Sequence, residues 1–202
     1  MPFIAVLAAG MIATAASGGF EWLYPLRVLT AAIVIWHFRS KYSEMNWRFG
    51  WFAVFAGLVV FALWLGLDRF SGGRMDSAIG PGLASLSNAG RLTWLAFRII
   101  GAVVTVPIAE ELAFRGFLIR RIVSADFESL SARHYTWIAL LLSSVAFGLL
   151  HGGRWIAGSI AGLIYAAAFV RRGRIGEAVC AHALTNALLA VWVLWSGRWY
   201  LW

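Results

Sequence analysis

Charge is scarce in this 202-residue chain. Only 13% of it is Asp, Glu, Lys or Arg, against about a quarter in a soluble domain. With 61% hydrophobic residues spread over most of the length, an ordinary globular domain on a single anchor is excluded. Cysteine is almost absent: Cys180 stands alone, which rules out an intrachain disulfide and a cysteine metal cage. There is no Gly-x-Ser-x-Gly elbow and no His-Glu-x-x-His, so neither a serine-hydrolase nucleophile nor a zincin site is supported. No stretch mixes basic residues with aromatics in a nucleic-acid pattern. The net charge of +8 therefore points to membrane topology and anionic lipid. No internal repeat or low-complexity tail is visible.

What is present is a succession of apolar runs. Seven read as helices: residues 2–17, 22–38, 49–67, 92–109, 136–150, 155–170 and 177–195. They predict one domain over residues 1–202, an all-α, polytopic transmembrane bundle of about seven to eight membrane helices. Several runs fall short of the roughly 20 residues a straight span needs, so helices broken or ending inside the protein are expected around any site. The first run lacks a basic n-region and reads as a membrane helix rather than a signal peptide. The basic connections 37–48, 115–133 and 171–174, placed on the cytoplasmic side, give seven spans with a cytoplasmic N-terminus; Arg69, Arg74 and Arg91 fall on the other side. Residues 68–90, with Ser71-Gly72-Gly73 and Gly80-Pro81-Gly82, read as a loop, either a connector or a flap over a substrate entrance.

Three clusters break the apolar pattern. Ionisable groups at mid-bilayer cost roughly 2.5–3.5 kcal/mol each, so they are usually kept for a reason. The first cluster is Glu110-Glu111-Leu112-Ala113-Phe114-Arg115. On a helix, Glu111 and Arg115 share a face and can pair in the favourable acid-first order. Glu110 is turned about 100° away and is left free. Pro107, just before, suits a break or a helix start. The second is Phe147-Gly148-Leu149-Leu150-His151, followed by Gly152-Gly153. The third is His182-Ala183-Leu184-Thr185-Asn186, whose His and Asn share one helix face. Each has a plain structural explanation: an interfacial ion pair, a helix-end histidine, an interhelical hydrogen bond. Together they supply a carboxylate to activate water and His and Asn donors for an oxyanion, the parts needed for peptide hydrolysis without a nucleophilic side chain. Ser143 and Ser144 offer no rival, and Cys180 lies on a different helix face from His182.

Glu110-Glu111-x-x-x-Arg115, Phe147-x-x-x-His151 and His182-x-x-x-Asn186, in that order, resemble the three-motif signature of the CPBP family of intramembrane proteases, the CAAX-protease and bacteriocin-processing family. Pro107-Ile108-Ala109, Phe114-Arg115-Gly116 and Ser143-Ser144 strengthen the likeness, which covers roughly residues 92–189. The short, aromatic-rich chain is also similar to small relatives associated with bacterial exosortase systems. The resemblance implies a multi-pass integral membrane endopeptidase, in the plasma or inner membrane if bacterial, acting on a membrane-associated protein or peptide. Glu110 and His151 would activate water, His182 and Asn186 would form the oxyanion hole, and Glu111 and Arg115 would orient the site. A zinc ion on Glu110, His151 and His182 is the alternative; a non-catalytic membrane scaffold is the reading from another class. The expected cofactor set is otherwise empty, with water as nucleophile.

The remaining residues have plainer expectations. Gly158 and Gly162 suit helix packing. Trp192, Trp195, Trp199 and Trp202 suit an interface belt. Arg98 stands deepest in an apolar run. Simple alternating spans would put Glu110 and His151 at different depths, so they can meet only if the chain departs from straight helices near Pro107 and Gly152-Gly153.

Overall fold

The computed structural model describes residues 2–68 and 77–202. Arg69, Arg74 and Ser71-Gly72-Gly73, the first part of the expected flap, lie outside the described residues.

Among the described residues there are seven principal helices: α1 (Pro2–Ser17), α2 (Tyr24–His37), α3 (Trp51–Asp68), α4 (Asn88–Val123), α5 (Trp137–Leu149), α6 (Trp155–Arg172) and α7 (Ile175–Ser196). Among the described residues there is no strand. Local chemistry fixes several ends. Pro25 sits in the first turn of α2, where no backbone donor is missed. Ser87 and Thr136 accept the Gly90 and Ala139 amides and start α4 and α5. Gly173 and Gly197, at φ +65° and +68°, terminate α6 and α7 in the left-handed conformation.

Two expectations need correction. Residues 68–90 are not simply a loop: a short helix occupies Ile79–Ser85, and α4 has begun by Asn88. The fourth apolar run does not break at Pro107 either. Helical backbone runs 36 residues from Asn88 to Val123. Wide π turns at Gly101–Thr105 and Leu112–Leu118 interrupt its α winding. A π turn just ahead of Pro107 makes room for the ring that would clash in a regular α-helix, so the helix is rewound rather than stopped. Arg115, counted with the basic connection 115–133, is consequently inside the bundle and fully buried.

Helices α1, α5 and α7 pack on the second half of α4, α6 is tied to it by the Arg115–Gly162 hydrogen bond, and α3 packs on α6 and α7. The main core joins Val60, Phe114, Phe147, Tyr165 and Phe169. Small residues let the backbones meet. A Cβ on Gly57 would lie 2.7 Å from the Ala181 carbonyl oxygen, and one on Gly148 would lie 2.6 Å from the Ser159 amide. The outside is apolar: Trp51, Trp195 and Trp137 are 88%, 78% and 70% exposed. Four helical stretches, those from Trp51, Asn88, Gly152 and Ile175, are long and apolar enough to cross a membrane. Such a surface is stable against lipid and not against water; this is an all-α membrane bundle. Trp199 and Trp202 do not join the outer belt. They fold back, Trp199 onto Gly80 and Trp202 over Arg98.

Candidate active site

Glu111 is the centre of a fully buried polar cluster. Its Oε1 accepts from Arg115 Nη1 at 3.2 Å and from His182 Nδ1 at 2.9 Å; its Oε2 lies 3.1 Å from Arg115 Nε. Arg115 also donates Nη2 to the Gly162 carbonyl at 2.7 Å, and its guanidinium lies 4.5 Å from the centre of the Phe147 ring. The i,i+4 pairing expected from spacing is thus present, and the carboxylate additionally orients the third motif. Because Glu111 accepts at Nδ1, His182 turns Nε2 toward Glu110, whose Oε2 is 3.9 Å away. Tyr165 stacks flat on the His182 ring, at 4.9 Å and 15°.

Glu110 points elsewhere, as one further position on the helix dictates. Its Oε2 is buried and has no hydrogen-bond partner, an arrangement that leaves acceptor capacity for a bound molecule. The residue lines a cavity of about 760 Å³ together with His151, His182 and Asn186.

His151 reaches that cavity because α5 is short. The helix ends at Leu149, a turn follows, and Gly152, at φ +56°, opens the 3₁₀ turn that leads into α6. Nδ1 of His151 contacts the Phe147 carbonyl at 3.0 Å. A carbonyl only accepts, so Nδ1 carries the proton, and in the neutral ring Nε2 keeps its lone pair. The imidazole packs edge-on against Trp64 at 5.4 Å. Gly158 leaves it room: a Cβ there would lie 3.0 Å from Nδ1. The Gly158/Gly162 spacing therefore does pack helices, and it also seats His151 and offers the carbonyl that holds Arg115.

Asn186, one turn after His182, donates Nδ2 to the Ala102 carbonyl at 2.8 Å. Val106 N–H bonds back five residues to Gly101. The next donor in that register would be Pro107, which has none, so the Ala102 carbonyl is orphaned and Asn186 fills it. Asn186 also lines the cavity, and its amide nitrogen has a second N–H beyond the one bonded to Ala102.

All six residues expected from the motifs thus belong to one connected region, and four of them line the cavity. Ser143 instead donates to the Phe114 carbonyl, and neither it nor Ser144 lines the cavity. Among the described residues no three His, Cys, Asp or Glu side chains are grouped to hold a metal ion. His182 commits Nδ1 to Glu111 and His151 commits Nδ1 to Phe147. Those bonds leave Nε2 of each ring open, as second-shell bonds do in a metal-ligating histidine, so Glu110, His151 and His182 are the residues that would hold the zinc of the alternative.

Sequence reading missed Tyr165, Trp64 and Asp68. Asp68 Oδ1 accepts from Arg154 Nε and Nη2 at 3.2 and 3.1 Å, and its Oδ2 accepts from the Tyr200 hydroxyl at 3.1 Å. Arg154 lies three residues after His151, so this pair ties the turn that carries His151 to the end of α3. Its signal was a carboxylate closing an otherwise uncharged run, with an arginine just beyond the second motif. Tyr165 carried no such signal, since an aromatic on an apolar helix reads as core.

A family model described as Rce1-like, type II CAAX prenyl endopeptidase, matches residues 92–188. A curated relative, the uncharacterized protein YyaK of Bacillus subtilis (strain 168), is 31% identical over 169 residues, which is 75% of this chain and 50% of YyaK. The chain thus spans about half the length of that relative. No solved structure matches. The segment from 92 to 188 encloses Glu110, Glu111, Arg115, His151, His182 and Asn186, and over it the chain is similar to the Rce1-like, type II CAAX prenyl endopeptidase family.

Proposed function

We propose that the chain is a multi-pass intramembrane endopeptidase that hydrolyses a peptide bond of a membrane-associated protein or peptide, with water as the nucleophile. The observation that carries this reading is the unequal treatment of the two glutamates. Glu111 is ion-paired with Arg115 and accepts hydrogen bonds from Arg115 and His182 at Oε1, whereas Glu110 makes no ion pair with Arg115 and lines the cavity that His151 shares.

In the proposed reaction one water donates to Glu110 and to Nε2 of His151, both acceptors. Its oxygen attacks the scissile carbonyl as Glu110 takes a proton. The carbonyl becomes an oxyanion, for which His182 Nε2 and the free N–H of Asn186 are the nearby donors; donation from Nε2 requires that the His182 ring carry protons on both nitrogens. Collapse of the tetrahedral carbon breaks the C–N bond, and the proton held by Glu110 passes to the leaving amine. Glu111 and Arg115 touch no substrate here; they fix the ring of His182. No step is routed through a metal ion.

The test is cleavage of membrane proteins in cells carrying the native chain or Glu110→Gln. Loss of products in the variant, with normal insertion, supports the reading. A scaffold would bind without turnover, and its motif substitutions would lower stability rather than cleavage.

A further inference from the structure

The same cavity contains a cation that no described residue neutralises. Two arginines stand in its wall. Arg27 is paired with Glu21 at 2.9 Å, and its guanidinium occupies the space above Gly10. Arg98 is different. Among the described residues its side chain makes no ion pair and no hydrogen bond, and its Nε is buried without a partner. Two rings hold it instead: the guanidinium carbon lies 4.5 Å from the centre of Tyr24 and 5.3 Å from that of Trp202. A ring face attracts the charge but leaves the in-plane N–H groups unfilled. The planar fork of those N–H groups matches a carboxylate. In an apolar, partly dehydrated cavity, an unpaired cation gains more from such a partner than it would at a wet surface.

Arg98 and Glu110 are on one helix, twelve positions apart, or about 18 Å of axis at ~1.5 Å per residue. An extended peptide advances ~3.3 Å per residue, so about five residues bridge that distance.

We propose that Arg98 is a carboxylate-binding subsite that selects substrates carrying an acidic group about five residues from the scissile bond. This rests on the endopeptidase reading above for what is cut, but the binding itself is measurable without cleavage. Lipid phosphate is the competing anion. Peptide is favoured because Arg98 lines the same cavity as Glu110 and His151.

The test uses the full chain with Glu110→Gln, in phosphatidylcholine nanodiscs, titrated with fluorescein-labelled apolar nonapeptides and read by anisotropy. One peptide carries a single Glu, one Gln in its place, both with amidated ends; a third has the Gln and a free C-terminal carboxylate. At least one carboxylate peptide is expected to bind about tenfold tighter than the neutral one, the scale of a charge-assisted hydrogen bond, and which one shows whether a side chain or a chain end is recognised. Adding Arg98→Gln should erase the preference while leaving affinity for the neutral peptide unchanged, which also shows that the variant is folded. Equal affinities for all three peptides, including no measurable binding, would overturn the proposal, as would a preference that survives Arg98→Gln. So would loss of the preference when phosphatidylglycerol replaces half of the lipid, since lipid phosphate would then hold Arg98. If the preference stands but Glu110→Gln still cleaves cellular substrate, the subsite survives and the hydrolytic reading fails.

Discussion

Asn186 Nδ2 donates to the Ala102 carbonyl at 2.8 Å, and that carbonyl is the one Pro107 leaves without a helical donor. A residue expected at the oxyanion also repairs the helix that carries the glutamates. Asn186→Ala should therefore lower both stability and turnover. The stability loss should be about 1–3 kcal/mol, the range for an unsatisfied buried polar group. In a Pro107→Ala background, where an N–H is restored, the stability loss should shrink while the turnover loss persists. Thermal melts and initial rates of the four chains measure both; parallel recovery of stability and turnover would remove Asn186 from the chemistry.

The two adjacent glutamates should behave differently when neutralised. Glu111→Gln leaves Arg115, which is fully buried, without its carboxylate. Breaking a buried pair from one side costs about 3–5 kcal/mol. Glu110→Gln removes no ion pair with Arg115 and should melt near the native temperature. Both variants should be inactive. Melting in nanodiscs separates them, and equal stabilities would contradict the division of labour between the two carboxylates.

His151 lies just past the end of α5, held by the Phe147 carbonyl and packed against Trp64 and Gly158. Asp68→Asn weakens the tie to Arg154, and a misplaced catalytic group commonly loses an order of magnitude or more in rate. We expect kcat to fall about tenfold with insertion unchanged. Gly158→Ala should act similarly, because its Cβ would stand 3.0 Å from Nδ1 of His151. Gly66→Ala, on a helix face with open space, is the control and should be silent. A normal rate in both Asp68→Asn and Gly158→Ala would show that the His151 position is not critical.

If no metal takes part, chelators should leave the rate of the purified chain unchanged. Inhibition by a chelator that zinc reverses would transfer the chemistry to a metal at Glu110, His151 and His182.

Much of this site was legible in sequence because helix geometry is local. The i,i+4 spacing of Glu111 with Arg115, and of His182 with Asn186, sets their shared faces without tertiary information. The apolar periodicity likewise marks seven helices, six of them within a few residues of their ends, while the fourth runs on to Val123. Pro107 was misleading, because single-residue rules read proline as a break. The compensation, a π turn plus the Asn186 donor, comes from a residue 79 positions later. The same limit hid the His182 contact to Glu111, the Asp68–Arg154 tie and the Tyr165 stack, which all join positions far apart in the chain.

In the proposed reaction Glu110, and not its neighbour paired with Arg115, activates the attacking water. The most direct test is mass-spectrometric detection of membrane-peptide cleavage by the purified native chain and by Glu110→Gln, at matched insertion and melting temperature. The account predicts products from the native chain and none above background from the variant. Products at the native rate from Glu110→Gln would contradict it.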